Sequence, residues 1–159
     1  MRRRNLAACL LVAFSALGLG TAEAAQPLRQ MSPLEQSLLT AINSARASAG
    51  VAPLRSSAPL TSAATWQSQV LARAGILDHT SPDGSTLTDR LARARWHGGQ
   101  AGEDLAVATS PALALSMWMQ SPGHRENLLR PTFRTIGLGL VRGVWNGRSA
   151  LYVTADFAT

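Results

Sequence analysis

The chain has 159 residues, 46% of them hydrophobic, and a formal net charge of +6 carried wholly by arginine, since lysine is absent. That length bounds a single domain, and the one cysteine, Cys9, leaves no partner for a disulfide. The arginines are scattered, without the basic stripe and interleaved aromatics of a nucleic-acid surface, so nucleic acid is excluded as a partner.

Arg2, Arg3 and Arg4 precede an apolar stretch from Leu6 to Leu17, and Ala22-Glu23-Ala24 places small residues where signal peptidase reads. Residues 1–24 are therefore expected to form a removable export signal, too short to span a bilayer, and no later segment reaches about 20 apolar residues. Leu6-Ala7-Ala8-Cys9 outlines a lipoprotein box and Arg3-Arg4 a twin-arginine signal, but both fit poorly. Without residues 1–24, three Arg and one Glu are lost, leaving 12 basic against 8 acidic residues, a balance of +4, and no cysteine. The mature protein is expected in the periplasm or outside the cell.

Residues 25–35 read as a short lead-in to one domain over 36–158. Ser32-Pro33-Leu34-Glu35 is a capping box with proline at the first helical position, and Leu34, Leu38, Ile42 and Ala45 then repeat at helical spacing. A second helix is expected from about Leu60 to Ala74, stopped by Gly75. Pro82-Asp83-Gly84 is turn chemistry, which puts His79 on a loop, and a short helix follows over about Thr86–Ala94. The helix over Ala112–Met119 is apolar on nearly all sides and is expected to be buried. Residues 118–129 then place His124 in the first turn of a further helix, with Ser121 suited to capping it. The tail alternates over Ile136–Val141 and again at Leu151, Val153, Ala155 and Phe157, with the hairpin signal Asn146-Gly147 between. Gly137 and Gly139 bare one face of the first of these strands for close approach of a helix. Helices followed by an antiparallel hairpin argue for an α+β fold.

Three segments carry the chemistry: Leu77-Asp-His-Thr-Ser-Pro-Asp-Gly84, Gly102-Glu103-Asp104-Leu105-Ala106, and Ser121-Pro-Gly-His-Arg-Glu-Asn127. With Asn43-Ser-Ala-Arg46 and Tyr152-Val-Thr-Ala-Asp-Phe157, this ordered set resembles the CAP superfamily, the cysteine-rich secretory, antigen 5 and pathogenesis-related-1 (SCP-like) proteins, in its bacterial secreted branch. The resemblance covers residues 36–158 and implies an α-β-α sandwich with a central cleft. It implies for that cleft two histidines and two acidic residues, with zinc or another divalent cation as the candidate cofactor.

His79 matches the first histidine, Glu103 the acidic residue of a Gly-Glu-Asn motif (here Gly-Glu-Asp), and His124 is the candidate for the second histidine, although Pro131-Thr132-Phe133 lies nearer its usual place. The second acidic ligand has no match, since Ser121 stands where many members carry glutamate. His79, Glu103 and His124 are thus the candidate metal ligands and the candidate catalytic residues, a three-ligand set that would leave a coordination position for water. The alternative is that the histidines hydrogen-bond Glu103 and organise a cleft without metal. Around them, Asp104 is expected to face solvent, Glu126 to be exposed, Arg125 to pair with a carboxylate, and His97 to be a solvated loop residue. Ser81 and Ser85 lack the Gly-x-Ser-x-Gly setting of a nucleophile, and Asp83 reads as a turn former. Asn43 and Arg46 are expected to be buried hydrogen-bonding groups, and Trp66, Trp118, Trp145 and Tyr152 core or rim aromatics. The resemblance implies a non-catalytic binding module for an envelope or host component, whether lipid, glycan or protein. The alternative is a metal-assisted hydrolase, a peptidase or an envelope-acting enzyme, in the same cleft.

Overall fold

The computed structural model describes residues 30–159, so the expected export signal lies outside the described residues. Five helices and four strands follow one another as α1 (Pro33–Ser48), β1 (Arg55–Ser56), α2 (Ala58–Ala74), α3 (Leu87–Arg93), β2 (Ala101–Ala108), α4 (Pro111–Gln120), α5 (Pro122–Leu129), β3 (Thr135–Trp145) and β4 (Arg148–Ala158). The Ser32–Glu35 capping box closes reciprocally at α1. Asn146 and Gly147 both take positive φ, 50° and 76°, as a two-residue hairpin turn requires.

The strands form one mixed sheet in the order β1-β3-β4-β2, with β3, β4 and β2 antiparallel and β1 parallel to β3. α2 and α3 cover one face and α1, α4 and α5 the other, an α-β-α sandwich. The larger core lies on the second face, where Leu38 and Ile42 of α1, Trp118 of α4 and Leu128 of α5 meet Ile136, Leu138, Ala155 and Phe157. On the first face a Cβ on Gly137 would sit 2.0 Å from the Leu60 carbonyl carbon, and one on Gly139 2.3 Å from the Ala64 carbonyl oxygen. The two glycines therefore let the backbone of α2 lie directly on β3. Gly139→Ala is expected to force α2 outward and cost about 1–3 kcal/mol in urea denaturation; a neutral result would mean that α2 floats free of the strand.

α4 departs from the sequence expectation. Only Ala114 and Trp118 are buried, while Leu113 and Met117 are each 43% exposed. A ten-residue helix that packs on the sheet along one stripe must turn its remaining apolar side chains outward.

Candidate functional site

Glu103 lies on β2, an edge strand, directly opposite Asp156 on β4. Side chains alternate along a strand, so Glu103 enters the layer under α2 and α3 while its neighbour Asp104 enters the layer under α5. Glu103 is 7% exposed and Asp104 and Asp156 are fully buried.

Both oxygens of Glu103 are engaged. Oε1 meets His79 Nδ1 at 2.7 Å, and Oε2 accepts a short hydrogen bond from Arg90 Nη2. Arg90 comes from α3, whose capping box of Thr86 and Asp89 fixes the start of the helix. Its Nη1 donates to the His79 carbonyl (3.0 Å), Ser81 Oγ (3.1 Å) and the Ser85 carbonyl (3.1 Å). The guanidinium therefore ties the His79 loop to α3 at both its backbone and, through Glu103, its ring. Gln67 of α2 completes the support, accepting from Ser81 Oγ at 2.7 Å and donating to the Asp78 carbonyl at 3.0 Å. Arg90 and Glu103 side chains are 1% and 3% exposed, whereas that of His79 is 62% exposed. One nitrogen of the imidazole is thus anchored inside and the other, Nε2, faces outward.

On the other side of β2, Asn127 of α5 donates to Asp104 Oδ1 at 2.9 Å. His124 sits one turn earlier on that helix. The C-terminal end of α5 is fastened by Arg46 of α1, fully buried, whose Nη1 donates to the Leu128 carbonyl at 2.6 Å and whose Nη2 reaches the Phe133 carbonyl at 3.3 Å. Donors at a helix C-terminus satisfy carbonyls that lack intrahelical partners.

The electrostatics follow from this packing. The Glu103 hydrogen bond raises the pKa of His79 against the opposing effect of partial burial. Burial, and then the charge of His79, lowers that of His124. Burial pushes Asp104 up to about 7, although Asn127 and His79 pull it back. Asp156 is pushed well above its ordinary value by burial and by the Glu103 charge, and it lies directly opposite Glu103 across the β2–β4 ladder.

His79 and Glu103 are therefore joined, with His124 across the β2 edge from them. Among the described residues no group of three or more His, Cys, Asp or Glu is placed to hold an ion. Three expectations about the neighbouring residues are corrected. Asp104 is buried rather than solvated, because α5 covers that face of β2. Ser121 makes no side-chain cap at α5. Arg125 donates to the Met119 carbonyl rather than to a carboxylate. Glu126 is exposed and pairs with Arg130, and Asn43 exchanges two hydrogen bonds with the backbone of Leu54. Ser81 and Ser85 are 3% and 4% exposed and hydrogen-bonded, so neither is open to a substrate.

Arg90, Asn127 and Asp156 went unread in the sequence. A signal exists for Arg90: it falls on the stripe Leu87, Arg90, Leu91, Ala94, at the spacing of an apolar helix face. Asp156 follows from Gly137 and Gly139, since a helix lying on those glycines also covers the alternate residues of the next strand.

An α-β-α sandwich in which a carboxylate on the edge strand of the sheet holds a histidine of the loop between α2 and α3 defines the class of protein. Residues 39–157 match the model of the CAP (cysteine-rich secretory protein) family, and the chain belongs to that family. It is 30% identical over 118 residues to the uncharacterized protein YkwD of Bacillus subtilis (strain 168), a match that covers 72% of this chain and 46% of YkwD. A crystal structure of an extracellular protein containing a SCP domain from Bacillus anthracis str. Ames superposes with a TM-score of 0.64 and 28% identity, over 81% of this chain and 44% of that one. An outer surface protein of Borrelia burgdorferi shares the fold, with a TM-score of 0.66 at 20% identity, over 77% of this chain and 90% of that one. The chain thus spans less than half the length of the two Bacillus proteins. Among the described residues no helix is long and apolar enough to cross a membrane.

Proposed function

We propose that this protein is exported and acts outside the cytoplasm as a binding module, engaging an envelope or host component at the cleft of His79, Glu103 and His124. The observation that carries the reading is the His79 ring: held on Nδ1 by a buried carboxylate, it presents Nε2 outward from a side chain that is 62% exposed. A fixed, solvent-facing imidazole gives a ligand a directed hydrogen-bonding group, and His124 of α5 would supply the second. The arginine-rich, leader-like start of the sequence supports export, as does the extracellular character of the related Bacillus anthracis protein. The burial of Ser81 and Ser85 supports binding over nucleophilic catalysis.

The test is capture from envelope extracts on immobilised protein. The wild type is expected to retain a component that His79→Ala and His124→Ala release, with the far-ultraviolet circular dichroism of all three unchanged. Retention by both variants would remove the cleft from the interaction; the exposed Leu113 and Met117 of α4 would then be the surface to alter. The His79–Glu103 pair also has the form of a carboxylate-oriented general base. That second reading requires hydrolytic turnover that is lost in both histidine variants.

A further inference from the structure

The CAP family implies a divalent ion in this cleft, and the donor set here does not fit one. Glu103 Oε2 is held by Arg90 and Oε1 by His79 Nδ1, so an ion at either oxygen would have to share it with, or displace, a donor already in place. An ion on Glu103 would stand beside a guanidinium that is 1% exposed, where like charges repel most strongly. Arg90 cannot swing away, because its Nη1 is held by three acceptors on the His79 loop. Asp104 Oδ2, though unpartnered, is buried under α5, so what remains toward solvent is His79 Nε2 and His124, two imidazoles, short of the three protein donors of catalytic zinc sites.

We infer that Arg90 is the resident cation of this cleft: it neutralises Glu103 in place of a metal ion, and Glu103 orients His79 rather than ligating. Arg90 is then a positioning residue, acting on any ligand only through Glu103 and His79. Its guanidinium, permanently charged and forked, keeps the cleft assembled whatever metal is available outside the cell. This assignment stands apart from the identity of the bound component, and its test uses zinc alone.

Zinc is titrated calorimetrically into the purified protein in a non-chelating buffer, and thermal melts are run with chelator and with equimolar zinc. The wild type is expected to melt at the same temperature in both, since a ligand that binds only the native state would raise it. Arg90→Gln frees Oε2 and is expected to bind zinc about tenfold or more tighter than the wild type, the scale on which altered coordination shells change affinity. A purely structural arginine would give no such gain. Zinc that stabilises the wild type, or an Arg90→Gln variant that folds but binds no better, overturns the assignment. Should Arg90→Gln fail to fold, the wild-type melts decide alone.

Discussion

Replacing Arg90 with methionine is expected to lower the free energy of unfolding by about 3–5 kcal/mol, the range seen when one partner of a buried ion pair is removed. Methionine keeps the length of the stem and deletes the charge and its donors. The Glu103 carboxylate would then lie 3% exposed above the fully buried Asp156, the His79 carbonyl would lose the Arg90 donor, and the Ser85 carbonyl would keep only the Ser81 N–H. Arg90→Lys restores the charge but not the fork that reaches Glu103 and the loop together, so it should recover only part of the loss. Urea denaturation at pH 7 measures both. A loss below about 1 kcal/mol, the worth of a solvent-exposed pair, would show that water reaches this site and that the pair is not an interior one. The exposed Arg93–Asp83 pair is the internal control: both side chains are about half exposed, and its removal should change little.

The same arginine shows how far the sequence could be read. Elements that rest on local chemistry were legible: the Ser32 capping box, the Asn146-Gly147 hairpin and the paired glycines under α2 all form as their residues dictate. Glu103 and His79 could be paired through a family resemblance, and they are hydrogen-bonded. What local pattern could not supply was which polar residues the sandwich would enclose. Thr154 and Asp156 alternate with apolar neighbours, a pattern that by itself suits a strand with one face in water, yet β4 is buried on both sides because helices cover both. Asp104 was misplaced for the same reason. An arginine in a short helix is ordinarily exposed, as Arg93 of the same helix is; that Arg90 turns inward depends on a carboxylate 13 residues away whose strand joins the sheet at its far edge.

Asp104→Asn is expected to stabilise the protein at pH 8 by on the order of 3 kcal/mol and to leave it nearly unchanged at pH 4. Burial raises the Asp104 pKa to about 7 in the fold, while the unfolded chain releases that proton near pH 3.9. Between these values the unfolded state binds fewer protons than the native one, so stability falls as pH rises and levels off above about 7. His79 acts in the same direction. Its pKa is raised by Glu103, so its bond to the carboxylate contributes fully below about pH 6.5 and is lost as pH climbs through the raised value. His124, whose pKa burial lowers, opposes on the acid side, its stabilisation fading below about 6.5. Asp83 and Asp89, held low by Ser85 and Thr86, withdraw their support only in stronger acid, below about pH 4. The wild type should therefore be most stable near about pH 4–5, above the loss of Asp83 and Asp89 and below the range in which buried Asp104 and Asp156 are forced to ionise. Asparagine retains the acceptor that Asn127 uses and removes the ionisation, while Asp104 Oδ2, which has no partner, leaves no existing bond to break. Parallel stability profiles for the two proteins from about pH 5 to 8 would show that Asp104 ionises freely and that its side of β2 is wet. If instead the profiles diverge, the resemblance to a Gly-Glu-Asn motif acquires a physical meaning. An amide at this position makes the strand indifferent to pH, and the aspartate of this chain makes the packing of α5, and with it the placement of His124, depend on protonation near neutrality.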